Sequence, residues 1–353
     1  LEANTTGNYN VAVGSQALQS NTDGTLNTAV GLQALEANVS GQKNAAFGTE
    51  ALQANTASNN AAFGRRALKA NTSGTEVTAV GQGALESNTT ANNNTAVGSN
   101  ALNLNTTGAD NTSVGAQSLA ANTTAAGNSA FGQASLNSNT TGADNTAYGQ
   151  GSLRSNTTGT QNVGIGVDAG KNNTSGGPFT FVGFEAGYNH GDNGSGEGTA
   201  VGYQALYASG GPLRNTAVGY QALHATTNYG NSNTGVGHQA LKANTSGEKN
   251  IAIGTYAVIA NTTGDKNIGI GYQALKACTT GENNVCIGDD AGNGITTGTG
   301  NIFIGKGVAD GGSFSTGSNN IIIGVDSNPS LGDQTNEIKL GNGSSSVLRC
   351  NVQ

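Results

Sequence analysis

A glycine returns about every seventeen residues along this chain, and that period limits what the chain can fold into. It stands at Gly14, Gly31, Gly48, Gly64, Gly81, Gly98, Gly115, Gly132, Gly149 and Gly166. It continues at Gly183, Gly202, Gly219, Gly237, Gly254, Gly271, Gly288, Gly305, Gly324 and Gly341. Of the nineteen intervals, fifteen are seventeen residues, two are nineteen, one is sixteen and one eighteen. A short period held this long means stacked equivalent units, each touching its neighbours, with no single globular centre.

One unit, Asn27 to Lys43, shows what each coil contains. Thr28-Ala29-Val30 has the period-two character of a short strand, with side chains on alternate faces. The residue before the counting glycine is large in all twenty copies, as at Val30, Phe47, Ile165 and Leu340. This column reads as the core. Ala29 and its equivalents stay small, and they read as facing outward against a neighbouring chain of a trimer. The alternative is that a small, flat face is simply a feature of narrow solenoids. Ala34-Leu35 closes the far side of the coil. Asn38 begins a polar corner, its column running unbroken from Asn4 to Asn173, and stacked amides of this kind hydrogen-bond as ladders. Gly41 is expected to supply a positive φ there, and Asn27 marks the entry into the strand.

The expected fold is therefore all-β, a β-solenoid or β-roll of about twenty 17-residue coils, forming a parallel homotrimeric fibre. Twenty turns at ~4.8 Å give a rod on the order of 100 Å long. Helical repeats need ~33 or more residues, and Gly, Asn and Thr are poor helix formers. Residues 1–324 read as continuous repeat, with looser, loop-bearing coils over 183–237, and 325–353 as a C-terminal capping segment. Leu1 sits seventeen residues before Leu18, inside a unit, so the sequence is expected to be a piece of a longer or processed chain.

Composition narrows the function. Charged residues make up 10% of the chain and the net charge is −7, which argues against nucleic acid as a partner. Apolar residues are sparse but periodic, so disorder is rejected. No run reaches the ~18 apolar residues of a membrane span, and no membrane insertion is expected. Cys278 and Cys286 replace ordinary repeat residues and, with Cys350, read as structural thiols. No phosphate loop, zinc helix or nucleophile elbow is present. The chain reads as a non-enzyme without cofactor or metal. Glu185, Asp192 and Glu197 could form a carboxylate pair for glycoside hydrolysis, and they read more simply as solvated loop groups.

Aromatic residues collect where the period loosens. Tyr188, His190, Asp192, Tyr203, Tyr207 and Tyr229 form the candidate ligand site, for glycan contact through tyrosine faces and polar tips. Phe179, Phe181 and Phe184 have a second reading as fillers of a wider coil.

The strands Asn215-Thr216-Ala217-Val218-Gly219-Tyr220-Gln221-Ala222-Leu223 and Asn250-Ile251-Ala252-Ile253-Gly254 resemble the head repeats of trimeric autotransporter adhesins, although the repeat in those heads is shorter. The same wording is similar to repeat regions of bacteriophage tail fibres. Leu348-Arg349-Cys350-Asn351-Val352-Gln353 resembles the segment preceding the self-cleaving intramolecular chaperone of such fibres. That resemblance implies a trimeric fibre in the virion tail, bound to other tail proteins and to a host-surface glycan or protein. The alternative is an adhesin head on a bacterial cell surface. An ice-binding solenoid is a third reading, from the regular Thr columns.

Overall fold

The computed structural model describes residues 1–190, 197–208, 210, 214–227, 229–310, 314–330 and 332–342. Among them are twenty strands of three or four residues and no helix. The chain divides into two compact units, Leu1–Pro178 and Phe179–Gln353. Unit 1 holds ten strands, from β1 (Val11–Val13) to β10 (Val163–Ile165). Unit 2 holds ten more, from β11 (Phe179–Val182) to β20 (Ile338–Leu340). Each unit is a β-solenoid in which every strand pairs in parallel with the strand one coil away.

Register follows the repeat. Ala12 lies opposite Ala29 and Val13 opposite Val30, and the same columns align at Ala96–Ser113 and Val97–Val114. In unit 2, Ile302-Phe303-Ile304 aligns with Ile321-Ile322-Ile323. The ladder continues past Gly324, because Ile321 and Ile323 pair with Ile338 and Leu340.

The core column is the small one, which reverses the expectation for this strand. Ala29, Ala46, Ala62, Ala79 and Ala96 are fully buried. Val97 is 36% exposed, Phe63 41% and Tyr148 57%, so the large residue before each glycine points out. The physical reason is the width of the coil. The inward residue of the strand meets the leucine across the same narrow interior. A Cβ on Gly164 would lie 2.8 Å from Leu153 Cγ. Size therefore trades between the two columns. Phe181 replaces the alanine where Gly187 replaces the leucine, and Cys286 does so where Gly292 does. A Cβ on Gly187 would come within 2.4 Å of the Phe181 ring, and one on Gly292 within 2.5 Å of Cys286 Sγ. The smallness of the Ala29 column thus comes from interior packing. Neither outward reading, trimer contact or flat solenoid face, holds, and only the narrowness of the coil remains of the second.

The rest of the interior is polar, and most of its amides are paired. Asn38 Nδ2 donates to Asn21 Oδ1 at 2.9 Å and to Gly41 O at 3.0 Å. Asn27 Nδ2 donates to the same Gly41 carbonyl at 2.8 Å, and Asn44 N donates to Asn27 Oδ1 at 3.0 Å. Both asparagine columns thus converge on one carbonyl per coil, and both are buried. Gly41 is not left-handed, contrary to expectation, and Ala57, Ala91 and Ala125 stand in its column. Besides Gly31 (φ 138), the positive-φ residues of this coil are Gln33 (φ 58), Leu35 (φ 53) and Lys43 (φ 56). Such a backbone costs roughly 1–2 kcal/mol for a residue with a Cβ. Stacking offsets it, since Gln33 N donates to Ser15 O at 3.0 Å and Leu35 N to Ala51 O at 3.1 Å.

Cys278 and Cys286 are buried and free, as structural thiols should be. Burial pushes the Cys278 thiol up to about 11 and that of Cys286 higher still. Cys350 and the tail from Ser346 lie outside the described residues.

Candidate functional site

The loosened coils of unit 2 bring rings into line because each occupies a fixed place after the counting glycine. Phe184, Tyr203, Tyr220 and His238 each follow that glycine directly. Their ring centroids are 5.3, 5.2 and 5.0 Å apart, with planes within 8° of parallel. Tyr188, Tyr207 and His224 stand five residues after it, at 5.2 and 5.1 Å. The spacing is that of adjacent strands, so the solenoid itself sets the ladders.

Between these two columns runs a third, of amides. Gln204 Nε2 donates to Glu185 Oε2 at 2.8 Å, Gln221 Nε2 to Gln204 Oε1 at 3.0 Å, and Gln239 Nε2 to Gln221 Oε1 at 3.1 Å. The three columns are lateral neighbours. In the coil of Gly271, Lys276 Nζ donates to Gln273 Oε1 at 3.2 Å, and Gln273 Nε2 to Tyr272 Oη at 2.9 Å. Those residues occupy the same three places. The result is a strip with aromatic, amide and aromatic columns side by side, on which Phe184, Tyr203 and Tyr220 are exposed.

Of the residues expected from sequence, Tyr203 joins one ladder and Tyr188 and Tyr207 the other. His190 does not belong to the strip. It is fully buried, with its ring 4.1 Å from Phe179 and 5.5 Å from Phe181. The reason is register, because His190 lies seventeen residues after Asn173, in the interior asparagine column. Phe179 and Phe181 are core fillers. Tyr229 is 75% exposed and stands in neither ladder. Asp192 lies outside the described residues. Glu185 is the first acceptor of the amide ladder, and Glu197 is exposed. Sequence reasoning missed Phe184, Tyr220, His224, His238 and the three glutamines as site residues. Their common offset from the counting glycine is the signal that finds them.

Stacking also changes what the rings offer. Tyr203 has Phe184 over one face and Tyr220 over the other, and Tyr207 lies between Tyr188 and His224. Covered faces cannot receive a sugar ring, so these tyrosines present edges and hydroxyls. The expectation of sugar stacking on tyrosine faces does not hold for them.

His224 is held below its ordinary value of 6.5, first by burial and second by Lys242. The fold thus favours the neutral imidazole. Its contribution to stability is present above pH 6.5 and is lost as pH falls through the lowered value. A proton NMR titration should give a midpoint for His224 below 6.5, and Lys242→Gln should raise it part of the way.

Among the described residues no group of three or more His, Cys, Asp or Glu could hold a metal, and no helix is long and apolar enough to cross a membrane. The chain matches no protein-family model, no curated protein and no solved structure.

Proposed function

We propose that the chain is a non-enzymatic fibre segment that associates side by side with copies of itself and contacts a host surface. The supporting observation is the outward face of the strands. Its two columns, such as Thr95 and Val97, contain no charged residue in any of the twenty coils, although the chain carries 35 charged side chains. In both units this face is half-exposed and largely apolar, as at Val97 and Ile253. Exposed apolar patches of this kind mark interaction surfaces. The occupant is a second copy, because only a surface with the same axial spacing meets every rung in register. Copies sharing a net charge also approach best where neither carries charge. The contact column is therefore that of Val30, not that of Ala29.

The resemblance to phage tail fibres supports three copies and a virion tail as the setting; the adhesin-head reading predicts the same trimer. What separates the two is the flanking sequence, a self-cleaving chaperone in one case and a coiled-coil stalk with a membrane anchor in the other. Ice binding is less well supported, because Phe47, Phe63, Phe131 and Tyr148 interrupt the face on which Thr28 and Thr95 stand.

Light scattering together with electron micrographs tests the fibre. The native chain should have the mass of three copies, and Val80→Lys with Val97→Lys should reduce it to one without unfolding. A monomeric native chain, or a double variant of unchanged mass, would refute the reading.

A further inference from the structure

We infer that the aromatic and amide strip over Phe184 to His238 binds an uncharged, extended, β-linked polysaccharide lying along the solenoid axis. The inference rests on the surface-contact part of the proposed function and names the ligand class. It starts from what the fold does not require. The equivalent columns of unit 1 hold residues such as Gln82, Ser99, Gln133, Glu86, Asn103 and Lys171, with no ring among them. Coils stack equally well there, so the rings are not needed for packing. In unit 2 both flanking columns become aromatic over the coils of Gly183, Gly202 and Gly219.

The amide ladder has a set direction. Glu185 can only accept, so Gln204 must donate to it, and each later glutamine repeats that choice. Each of the three amides therefore spends one N–H along the ladder and keeps a second. Tyrosine hydroxyls beside them donate and accept. A ligand matching this strip presents oxygens at the coil rise of ~4.8 Å. A pyranose chain with equatorial linkages advances by about one sugar over that rise.

Charge selects against the obvious competitor. Along the three columns in the coils of Gly183, Gly202, Gly219 and Gly237 the formal charges are Glu185 at one end and Lys242 at the other. The strip therefore carries no net charge, and the chain as a whole carries −7. An acidic polysaccharide would meet one cation for a carboxylate on every sugar, so the ligand is neutral. The covered ring faces further indicate that recognition is through edges and hydroxyls, and removal of hydroxyls alone should weaken binding.

The test uses the full chain, with cellohexaose and chitohexaose as neutral probes and hexagalacturonate as the acidic one, read by titration calorimetry. A neutral probe should bind with a dissociation constant below about 1 mM. Shortening it should weaken binding once fewer than about four sugars remain, since the strip covers the coils of Gly183, Gly202, Gly219 and Gly237. Tyr203→Phe with Tyr220→Phe, which keeps both rings stacked, should weaken it roughly tenfold. Thermal midpoint and chain number should not change. Failure of both neutral probes, stronger binding of the acidic one, or unaltered binding by the double variant would each overturn the inference. Light scattering on the same samples separates this from the fibre reading. Loss of self-association with intact sugar binding removes only the fibre, and a double variant that changes chain number but not sugar affinity makes the strip a contact between copies.

Discussion

Gly98→Ala should destabilise unit 1 by about 4 kcal/mol, combining strained backbone with forced overlap in a packed stack. Gly98 has φ +139, and a Cβ there would lie 2.5 Å from Gly115 O and 2.6 Å from its carbonyl carbon. Those atoms belong to the backbone of the next coil and cannot swing aside. Relief requires the strands β6 (Thr95–Val97) and β7 (Thr112–Val114) to move apart, which breaks the ladder on both flanks. The control is Gly108→Ala. A Cβ there would also press on backbone, the Ala125 carbonyl. Gly108 has no left-handed φ, however, and its column already carries Ala91 and Ala125. The stack can therefore shift to hold a methyl, and the cost should be about 1–2 kcal/mol, below that at Gly98. Urea unfolding gives both values, and hydrogen exchange should show early opening at β6 and β7 in Gly98→Ala alone. Equal midpoints for the two variants would remove the glycine column from its structural role.

The second large effect comes from the interior amides. Asn105 Nδ2 donates to Asn88 Oδ1 at 3.0 Å and to Gly108 O at 2.9 Å, and Asn105 Oδ1 accepts from Asn122 Nδ2 at 2.9 Å. Asn105→Asp keeps the shape, removes both donors and places a carboxylate against two oxygens. A buried acceptor without a donor costs about 1–3 kcal/mol, and a buried charge costs more. A loss of at least about 3 kcal/mol at neutral pH is therefore expected. The sign of its pH dependence follows from the site. Burial raises the folded-state value of that carboxyl, so the protonated variant can donate again to Asn88 Oδ1. The added stability is present at acid pH and is lost as pH rises through the raised value. Urea midpoints of the variant and the native chain, compared at about pH 4 and pH 7, should converge at the lower pH. A gap independent of pH would place residue 105 in contact with solvent.

The fold was legible because the sequence repeats. Period, strand position, parallel stacking and the Asn38 ladder all follow from columns of like residues. The direction in which each strand faces was not read correctly. Alternation along Thr28-Ala29-Val30 gives two faces but does not say which is interior, and the larger residue faces inward only where a core has room for it. A coil this narrow admits only one long side chain across its width, and Leu35 takes that place. The paired exchanges of Phe181 with Gly187 and Cys286 with Gly292 contained the answer. The candidate site was read as a cluster of aromatic residues near an insertion. Its order depends on offset from the counting glycine, which separates exposed Tyr203 from buried His190 although both lie in the loosened coils. Gly41 was assigned a left-handed turn by residue type, but Leu35 and Lys43 carry that conformation because stacking bonds hold them in it.

The interior amides also give the solenoid a sense of growth. In unit 1, Asn38 Nδ2 reaches back to Asn21 Oδ1, and Asn44 N reaches back to Asn27 Oδ1. A coil with both asparagines therefore ends in two side-chain oxygens, and the next coil in the chain can bring the two N–H groups that meet them. Where that supply fails the oxygen stays unmet, as at Asn261 Oδ1, whose successor in the column is Cys278, and at Asn38 Oδ1, whose successor Asn55 donates to Ala57 O instead. Synthesis delivers the coils in this same order, amino end first. Each coil then lays down the template for its successor, so the chain can add turns at one advancing face, much as a crystal adds layers.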